Sequence, residues 1–395
     1  MSDPGCRIGP RGLRRGAALT LVFAGVLATG AATGALPRGE AQEPPVHPRS
    51  VAATADRDEV AEAAADAVAD GKSGTEAAEE VVSRSGDRWG AVYDEREYQE
   101  FEESLGGTYT GVGLAARRSA DGQVAVARVQ PGSPADHAGI RSGDLLRTID
   151  GRRVDRLPVS DVVALLRGDR TEAKAGSTVS LGVRRGTATR TETLSRARLT
   201  VESVTVRRVG AQRSGPSGAV RIAVASFTKG SGAAVRDAVR DAPAGAGVLL
   251  DLRGNPGGLV TEAVTAASAF LDGGLVATYD VHGEQHALYA KPGGDTGRPV
   301  VVLVDGGTMS AAELVTGALQ DRGRAVTVGS RTFGKGSVQM PSKLAGGSVA
   351  ELTVGHYRTP AGHGVDGKGI TPDLAVSARA QERAETVLSG LGGGS

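Results

Sequence analysis

The stretch TMSAAELVTGALQD, residues 308–321, decides the fold because it marks the point where a predicted strand is followed by a predicted helix. The apolar run VVVLVDGG, residues 300–307, precedes it and predicts a buried strand that ends in a glycine turn. Apolar residues then recur at helical spacing, namely Leu314, Val315, Ala318 and Leu319. A strand, a tight turn and a helix in this order predict a layered α/β domain.

Ser310, at the start of this helix, has two interpretations. Ser310 and Glu313 have the S-x-x-E spacing of a capping box, in which the serine only terminates the helix. A serine at a strand–turn–helix junction is also where hydrolases expose a nucleophile. These residues alone leave both roles open.

Composition limits the remaining possibilities. The chain has 395 residues, which is enough for two or three domains. The net charge of +1 and the 23% of charged residues give no indication of a nucleic-acid partner. The single cysteine, Cys6, excludes an intrachain disulfide and a metal site built from several cysteines. We therefore expect neither a metal nor a cofactor.

The first 37 residues have the pattern of a targeting segment. Arginines precede the uncharged run 16–37, which is typical of a secretory signal and is also long enough for a membrane anchor. The many Gly and Ala residues make this run weakly hydrophobic and favour cleavage. Either alternative predicts that the rest of the protein lies outside the cytoplasm. Residues 38–55, rich in Pro, Glu and Ala, are expected to be a linker.

A small helical subdomain is predicted for residues 56–105. Its apolar face is expected to contain Val60, Ala64, Ala67 and Val68. We expect this subdomain to pack against another part of the protein.

Residues 106–199 form a second unit, which contains clear signals for the start and the end of a short helix. In GSPADHAGI, Ser133 suits a helix N-cap, Pro134 the first helical position and Gly139 the position after the helix. The loop Gly111, Val112, Gly113 and Leu114 is rich in glycine, which leaves N–H groups free to converge on an anion. The alternative is an ordinary hairpin with a glycine pair. The order of elements resembles a PDZ domain of the kind inserted in C-terminal processing proteases, in which such a loop binds a peptide's terminal carboxylate.

Residues 200–380 alternate strand and helix and predict the main α/β core, followed by a tail at 381–395. No histidine stands in a convincing position to act as a base for Ser310. Lys335, between two glycines in RTFGKGSVQ, is the better candidate. A solvated lysine has a pKa of about 10.4 and is charged at pH 7, but burial lowers that pKa. If residues 335–339 are extended, Gln339 lies on the same face and can orient the amine. The alternative is a lysine in a glycine turn.

The motif DLRGNPGG, residues 251–258, predicts a buried strand that ends in a turn. The backbone N–H groups of Gly257 and Gly258, together with that of Ala311 after the serine, suit the oxyanion of a tetrahedral intermediate. The alternative is a turn that only initiates a helix.

Together these motifs resemble the C-terminal processing (tail-specific) proteases of the Ser-Lys type, over residues 80–376. The motifs that carry this resemblance are YTGVG, GSPADHAGI, DLRGNPGG, TMSAAELVTGALQD, RTFGKGSVQ and YRTPAGHGVDGKGITPD. The resemblance implies a crotonase-like core with an inserted PDZ domain. It also implies that Ser310 is the nucleophile, that Lys335 is the general base supported by Gln339, and that Arg167 couples the PDZ domain to the active site.

The chain departs from the family pattern in two places. TMSAAE replaces the usual SASASE, so that Thr308 is expected to cap the helix in place of the serine. The insertion DRTEAKAG follows LLRG and is expected to disturb the PDZ coupling.

The resulting hypothesis is a serine endopeptidase that cleaves proteins with free C-terminal tails through an acyl-enzyme. One alternative is a catalytically idle PDZ scaffold that binds peptides, against which the intact serine, lysine and glutamine count. Another is an acyl hydrolase on the same core, against which the PDZ domain counts.

Overall fold

The computed structural model describes residues 54–118, 122–155, 157–168, 175–209, 218–281 and 284–392, which divide into two units. The segment Thr108–Val201 forms one unit, and the chain on both sides of it forms the other. The inserted arrangement expected from the sequence is thus present along the chain. The predicted targeting segment 1–37, nearly all of the linker 38–55 and most of the DRTEAKAG insertion lie outside the described residues. None of the helices within the described ranges is both long and apolar enough to span a bilayer.

The first described elements form a helical layer that belongs to the larger unit. Its elements are α1 (Arg57–Ala69), α2 (Gly74–Ser85), β1 (Ala91–Tyr93) and α3 (Glu95–Leu105). Val60, Ala64 and Ala67 are buried as predicted, whereas Val68 is 40% exposed. Val68 is the second-last residue of α1, where one side of its side chain covers Gly74 and the other faces solvent.

The inserted unit is an antiparallel sheet with two helices. The sheet has the order β3-β4-β5-β7-β8 with β6 beside β5, and a separate pair is formed by β2 and β9. The elements are β2 (Thr108–Gly111), β3 (Leu114–Arg118), β4 (Val124–Val129), α4 (Pro134–His137), β5 (Leu145–Ile149), β6 (Arg152–Arg153), α5 (Val159–Arg167), β7 (Thr178–Arg185), β8 (Ala188–Ser195) and β9 (Ala197–Thr200). The Ser133 hydroxyl accepts a hydrogen bond from the Asp136 N–H at 3.3 Å, so α4 begins where the sequence predicts.

A mainly parallel six-stranded sheet is the centre of the larger unit, in the order β10-β11-β12-β15-β16-β19. Only β10 is antiparallel to its neighbour. The elements are β10 (Val204–Val209), β11 (Ala219–Val224), α6 (Ser231–Arg240), β12 (Gly247–Asp251), α7 (Val260–Ser268), β15 (Val300–Val304), α8 (Ala311–Asp321), β16 (Val326–Gly329) and β19 (Leu374–Ala375). The predicted mixed α/β architecture is confirmed.

Residues of this sheet alternate between two apolar layers, as strand geometry requires. Along β15, Val300, Val302 and Val304 face the layer that contains α6, α7 and α8, whereas Val301 and Leu303 face the opposite layer. Since β12 and β15 are parallel neighbours, their carboxyl ends meet, with Asp251 opposite Leu303. The turns that follow these two strands are therefore adjacent.

A second sheet joins the helical layer to the rest of the larger unit. Its order is β1-β18-β13-β14, with β17 also paired to β18. The remaining strands are β13 (Leu275–Val281), β14 (Glu284–Tyr289), β17 (Ser337–Lys343) and β18 (Val349–Arg358). Because β18 pairs with both β1 and β17, it brings residues near position 90 beside those near position 340.

The C-terminal segment differs from its prediction. The sequence predicts a tail at 381–395, whereas residues up to Gly392 form helix α9 (Ala380–Gly392). Ala384 and Leu388 of this helix are buried in the apolar layer that covers the far side of the central sheet. The segment is short and rich in Gly and charged residues, so its sequence alone does not predict a stable helix. Its few apolar residues stabilise the helix by packing on the face of the central sheet.

The substitution Leu388→Ala is expected to lower the free energy of unfolding by about 2–5 kcal/mol, because Leu388 is 1% exposed and packs on Gly247. Leu391→Ala is the matched control, since Leu391 is 47% exposed and its truncation should change stability by less than about 0.5 kcal/mol. Urea denaturation followed by circular dichroism measures both. Equal effects of the two variants would contradict the packing of α9 on the sheet.

Candidate active site

Two turns meet at the carboxyl ends of β12 and β15. Asp305 Oδ1 accepts hydrogen bonds from the N–H groups of Gly254 and Gly307, both at 2.9 Å. The Thr308 hydroxyl donates to the Leu252 carbonyl at 2.9 Å, and the Met309 N–H donates to the Asn255 carbonyl at 2.9 Å. The DLRGNPGG turn and the turn before Ser310 are thus one hydrogen-bonded assembly. Thr308 is part of this assembly and, contrary to the prediction, its hydroxyl does not cap the helix.

Ser310 is held in an unusual backbone conformation. Its φ of 51° and ψ of −119° lie in a region that residues other than glycine rarely adopt. Strain of this kind costs on the order of 1–3 kcal/mol and is concentrated at functional sites. It is also the geometry expected of a serine exposed on a sharp turn between a strand and a helix.

Glu313 links Ser310 to the segment that contains Lys335. The Glu313 carboxylate is fully buried, and its Oε2 accepts hydrogen bonds from the Ser310 N–H at 3.0 Å and the Lys335 N–H at 2.9 Å. Its Oε1 accepts from the Gly334 N–H at 2.8 Å and the Thr332 hydroxyl at 2.5 Å. Burial raises the pKa of Glu313, and the four donors oppose that rise by stabilising the carboxylate.

Tyr357 provides a second link between the same two residues. Its hydroxyl lies 2.9 Å from the Ser310 carbonyl oxygen and 3.3 Å from the Lys335 carbonyl oxygen, and it donates to this pair. The side chain is buried, and burial raises the pKa of Tyr357 well above its usual value. Tyr357 therefore stays protonated and remains a hydrogen-bond donor.

The side chain of Lys335 is half-buried between aromatic and acidic groups. Its Nζ lies 5.3 Å from the centre of the Trp89 ring. Burial lowers the pKa of Lys335, and the nearby charges of Glu351 and Asp87 act in the opposite direction. The net direction is downward, as a lysine that serves as a general base requires.

Ser310 and Lys335 share backbone partners, but the described residues include no hydrogen bond between Ser310 Oγ and Lys335 Nζ. Gln339 likewise does not bond to the lysine amine in the described part of the chain. Its Nε2 donates to Ser337 Oγ at 2.9 Å. The prediction required residues 335–339 to form one extended strand. In the structure β17 begins at Ser337, so Lys335 precedes the strand that contains Gln339.

The predicted oxyanion donors differ in their availability. The Gly257 N–H donates to the Asn255 side-chain oxygen at 2.8 Å, so the structure departs from the prediction at Gly257. Neither the Gly258 N–H nor the Ala311 N–H has an acceptor among the residues that the structure describes. Gly257 is nevertheless next to the serine, since a Cβ at that position would lie 2.9 Å from Ser310 Cβ. Its φ of 102° also favours glycine.

The predicted peptide-binding loop lies in the inserted unit. The loop precedes and opens β3, and Gly113 has a φ of 81°. Within the described ranges, the N–H groups of Val112 and Gly113 have no acceptor, whereas both carbonyls are bonded, to Ala135 and Gln130. Arg167, at the end of α5, stacks on Tyr109 with 5.9 Å between its guanidinium carbon and the ring centre.

Three residues of this site were not predicted from the sequence. Asn255 is fully buried, and its side chain bridges the Val224 carbonyl and the Gly257 N–H. Tyr357 lies in the motif YRTPAGHGVDGKGITPD, and its position in the sequence indicates no role for its hydroxyl. Trp89 offered only one signal, that it is the single tryptophan of the chain.

Comparisons with known proteins identify both units. Residues 218–376 match the sequence model of Peptidase family S41, and residues 125–185 match that of the PDZ domain. The solved structure of a photosystem II D1 C-terminal processing protease is 28% identical to the chain, with a TM-score of 0.50, and the similarity covers 80% of this chain and 87% of that one.

Curated relatives have similar descriptions. A probable CtpA-like serine protease of Staphylococcus haemolyticus is 31% identical over 78% of this chain and 60% of that protein. Carboxyl-terminal-processing peptidase 2, chloroplastic, of Arabidopsis thaliana is 36% identical over 68% of this chain and 53% of that protein. Carboxy-terminal processing protease CtpA of Bacillus subtilis is 30% identical over 74% of this chain and 62% of that protein. The chain therefore spans less than two thirds of the length of these relatives.

The substitution Glu313→Gln tests the link between the two segments. It places an NH₂ group among N–H donors, so we expect the free energy of unfolding to fall by about 3 kcal/mol. Glu62→Gln, on the exposed face of α1, is the matched control and should be nearly neutral. Chemical denaturation at pH 7 measures both variants, and an unchanged unfolding midpoint for Glu313→Gln would refute the linking role.

Proposed function

Because the chain belongs to the C-terminal processing protease family, we propose that it is a serine endopeptidase that cleaves proteins with free C-terminal tails. In this proposal Ser310 is the nucleophile and Lys335 is the general base. The observation that carries it is the Glu313 carboxylate, which bonds to the N–H groups of both residues. Through these bonds Glu313 fixes the strained turn that carries the Ser310 hydroxyl relative to the segment that carries the half-buried Lys335.

The first half of the reaction forms an acyl-enzyme. Neutral Lys335 Nζ takes the proton of the Ser310 hydroxyl as Oγ attacks the carbonyl carbon of the peptide bond. The oxyanion that develops is stabilised by the Gly258 and Ala311 N–H groups, which have no other acceptor in the described chain. When the C–N bond breaks, the Lys335 ammonium returns its proton to the leaving amine.

The second half releases the acyl group and restores the enzyme. Lys335 takes a proton from water, whose oxygen attacks the ester carbonyl. The new tetrahedral intermediate uses the same backbone donors. As the bond to Ser310 Oγ breaks, the lysine returns the proton to Oγ, and a peptide with a new carboxyl end is released.

The side chain of Gln339 has a narrower role in this proposal. In this structure it bonds to Ser337 rather than to the amine, so orienting Lys335 requires a different rotamer. The side chain is half-buried rather than enclosed. Gln339 is therefore proposed as a support that acts once substrate is bound.

The inserted PDZ domain is proposed to bind the terminal carboxylate of the substrate. The N–H groups of Val112 and Gly113 support this, because they have no acceptor in the described structure and are consecutive amides at a glycine, Gly113, with positive φ. Arg167 is proposed to couple the PDZ domain to catalysis. The segment 16–37 is proposed to direct the protein out of the cytoplasm, as a cleaved signal or an anchor.

Substitution of either proposed catalytic residue should abolish most turnover. We expect Ser310→Ala to reduce kcat/KM by about 10⁴-fold or more and Lys335→Met by about 10²–10⁴-fold. Lys343→Met, which changes an exposed lysine of β17, is the matched control and should remain active. Digestion of an unstructured protein, followed by mass spectrometry, measures the rates. Near-normal activity of Lys335→Met would exclude lysine as the base.

Amidation of a peptide's C-terminus should weaken its binding. The inactive Ser310→Ala variant allows binding to be measured without cleavage, by calorimetry with paired free-acid and amidated peptides. Loss of charge-assisted hydrogen bonds to the loop should raise Kd by about ten-fold or more. Equal affinities would rule out carboxylate binding by Gly111–Leu114 and leave the peptidase proposal in place.

A further inference from the structure

Trp89 is fixed in place beside the proposed general base. Its indole Nε1–H donates to Asp366 Oδ1 at 3.3 Å, and its backbone N–H donates to Asp87 Oδ1 at 3.1 Å. The ring also packs against Phe333, with 5.7 Å between ring centres. These contacts join the helical layer to the RTFGKGSVQ segment, so the ring has a defined position relative to Lys335.

The amine of Lys335 is within cation–π distance of this ring. The 5.3 Å from Nζ to the ring centre is inside the limit of about 6 Å for an effective contact. In the described structure the amine has no hydrogen bond to Ser310. The acidic side chains whose charges act on the amine are Glu351, which is paired with Ala91 across β18 and β1, and Asp87, which precedes β1 and accepts hydrogen bonds from Thr353 of β18.

We propose that Trp89 is a positioning residue for Lys335. Its ring and the carboxylates of Glu351 and Asp87 hold the Lys335 side chain in a resting position while it is an ammonium. Once the side chain is a neutral amine, it leaves this position and reaches Ser310. This inference rests on the proposed role of Lys335 as general base. It adds a residue from the helical layer to the catalytic cycle, a layer to which the sequence assigned no catalytic part.

The physical basis is the difference between the two forms of lysine. A π face attracts an ammonium through its quadrupole but attracts a neutral amine only weakly. Loss of the proton therefore weakens the resting contact and frees the side chain. When Lys335 accepts the proton of Ser310, the ring and carboxylates again favour the resting position.

Other charged groups near the ring oppose or support this contact. The exposed guanidinium of Arg88 is a second cation over the Trp89 ring, with its carbon 4.7 Å from the ring centre. Asp366 bonds to the indole and faces His356 at 3.8 Å. Because the charges that act on Lys335 are those of the Glu351 and Asp87 carboxylates, the surroundings other than burial favour the ammonium.

Fluorescence gives a direct test, since Trp89 is the only tryptophan. The Ser310→Ala variant and the Ser310→Ala/Lys335→Met variant are titrated from pH 6 to 11, so that neither protein digests itself. We expect a pH-dependent change in tryptophan emission in the variant that retains Lys335, and we expect the Lys335→Met variant to lack that change. Superimposable titrations would overturn the contact in solution.

A second test measures the basicity of the amine without any need for activity. The rate at which acetic anhydride modifies Lys335 is followed by mass spectrometry across the same pH range in the Ser310→Ala background, with exposed Lys343 as internal reference. Trp89→Leu should lower the midpoint for Lys335 by about half a pH unit to one pH unit, because a cation–π contact is lost. Trp89→Phe keeps a π face and should restore most of the midpoint.

The direction of the shift decides between two roles of Trp89. If the ring served only to exclude water, Trp89→Leu would leave the midpoint unchanged or raise it, and the proposal would be overturned. Failure of the proposed function is separately visible, as undiminished digestion by Ser310→Ala. If Ser310→Ala is inactive while the midpoint does not fall, only the role of Trp89 is refuted.

Discussion

The buried carboxylate of Glu313 is the interaction on which the geometry of the site depends. An ionised carboxylate removed from water costs several kcal/mol unless donors replace its hydration. Here the donors come from the helix start at Ser310 and from the segment 332–335. The charge is stabilised only while these two segments stay together, so the requirement for solvation fixes their separation.

A second constraint arises from the close approach of two backbone turns. Gly257 lies so near Ser310 that any larger residue would contact its Cβ, and the buried Asn255 amide holds the turn through both of its polar atoms. The Gly257 N–H is used in this way, whereas the next amide, that of Gly258, has no acceptor among the residues that the structure describes. The same feature that positions the turn therefore determines which amides remain available.

Much of the fold follows from local sequence patterns. The buried strands β12 and β15, the helix α8 and the capped helix α4 are all predicted, because apolar periodicity and capping residues act over a few positions. The backbone junction between Ser310 and the 251–258 turn is also predictable, since parallel strands end at one edge of a sheet. These features need no knowledge of distant contacts.

The remaining features depend on contacts between residues that are far apart in sequence. Helix α9 is defined by the sheet face that it covers, and the exposure of Val68 depends on where α2 begins. The acceptor of the Gly257 N–H is the side chain of Asn255, two residues away, and the sequence does not specify the rotamer of that side chain. Trp89 reaches Lys335 only because β18 pairs with both β1 and β17.

The surroundings of Lys335 combine effects that act in opposite directions on its pKa. A lysine in a wholly apolar pocket loses its proton readily, but the ammonium formed by accepting a serine proton would then have no stabilising partner. A general base passes through both forms in every cycle, so neither form can be strongly disfavoured. Burial favours the neutral amine, whereas Glu351 and Asp87 favour the ammonium. The net lowering of the pKa shows that burial is the larger effect, and the acidic groups limit it without reversing it. For a proposed lysine base, the carboxylates are therefore part of what makes proton transfer reversible.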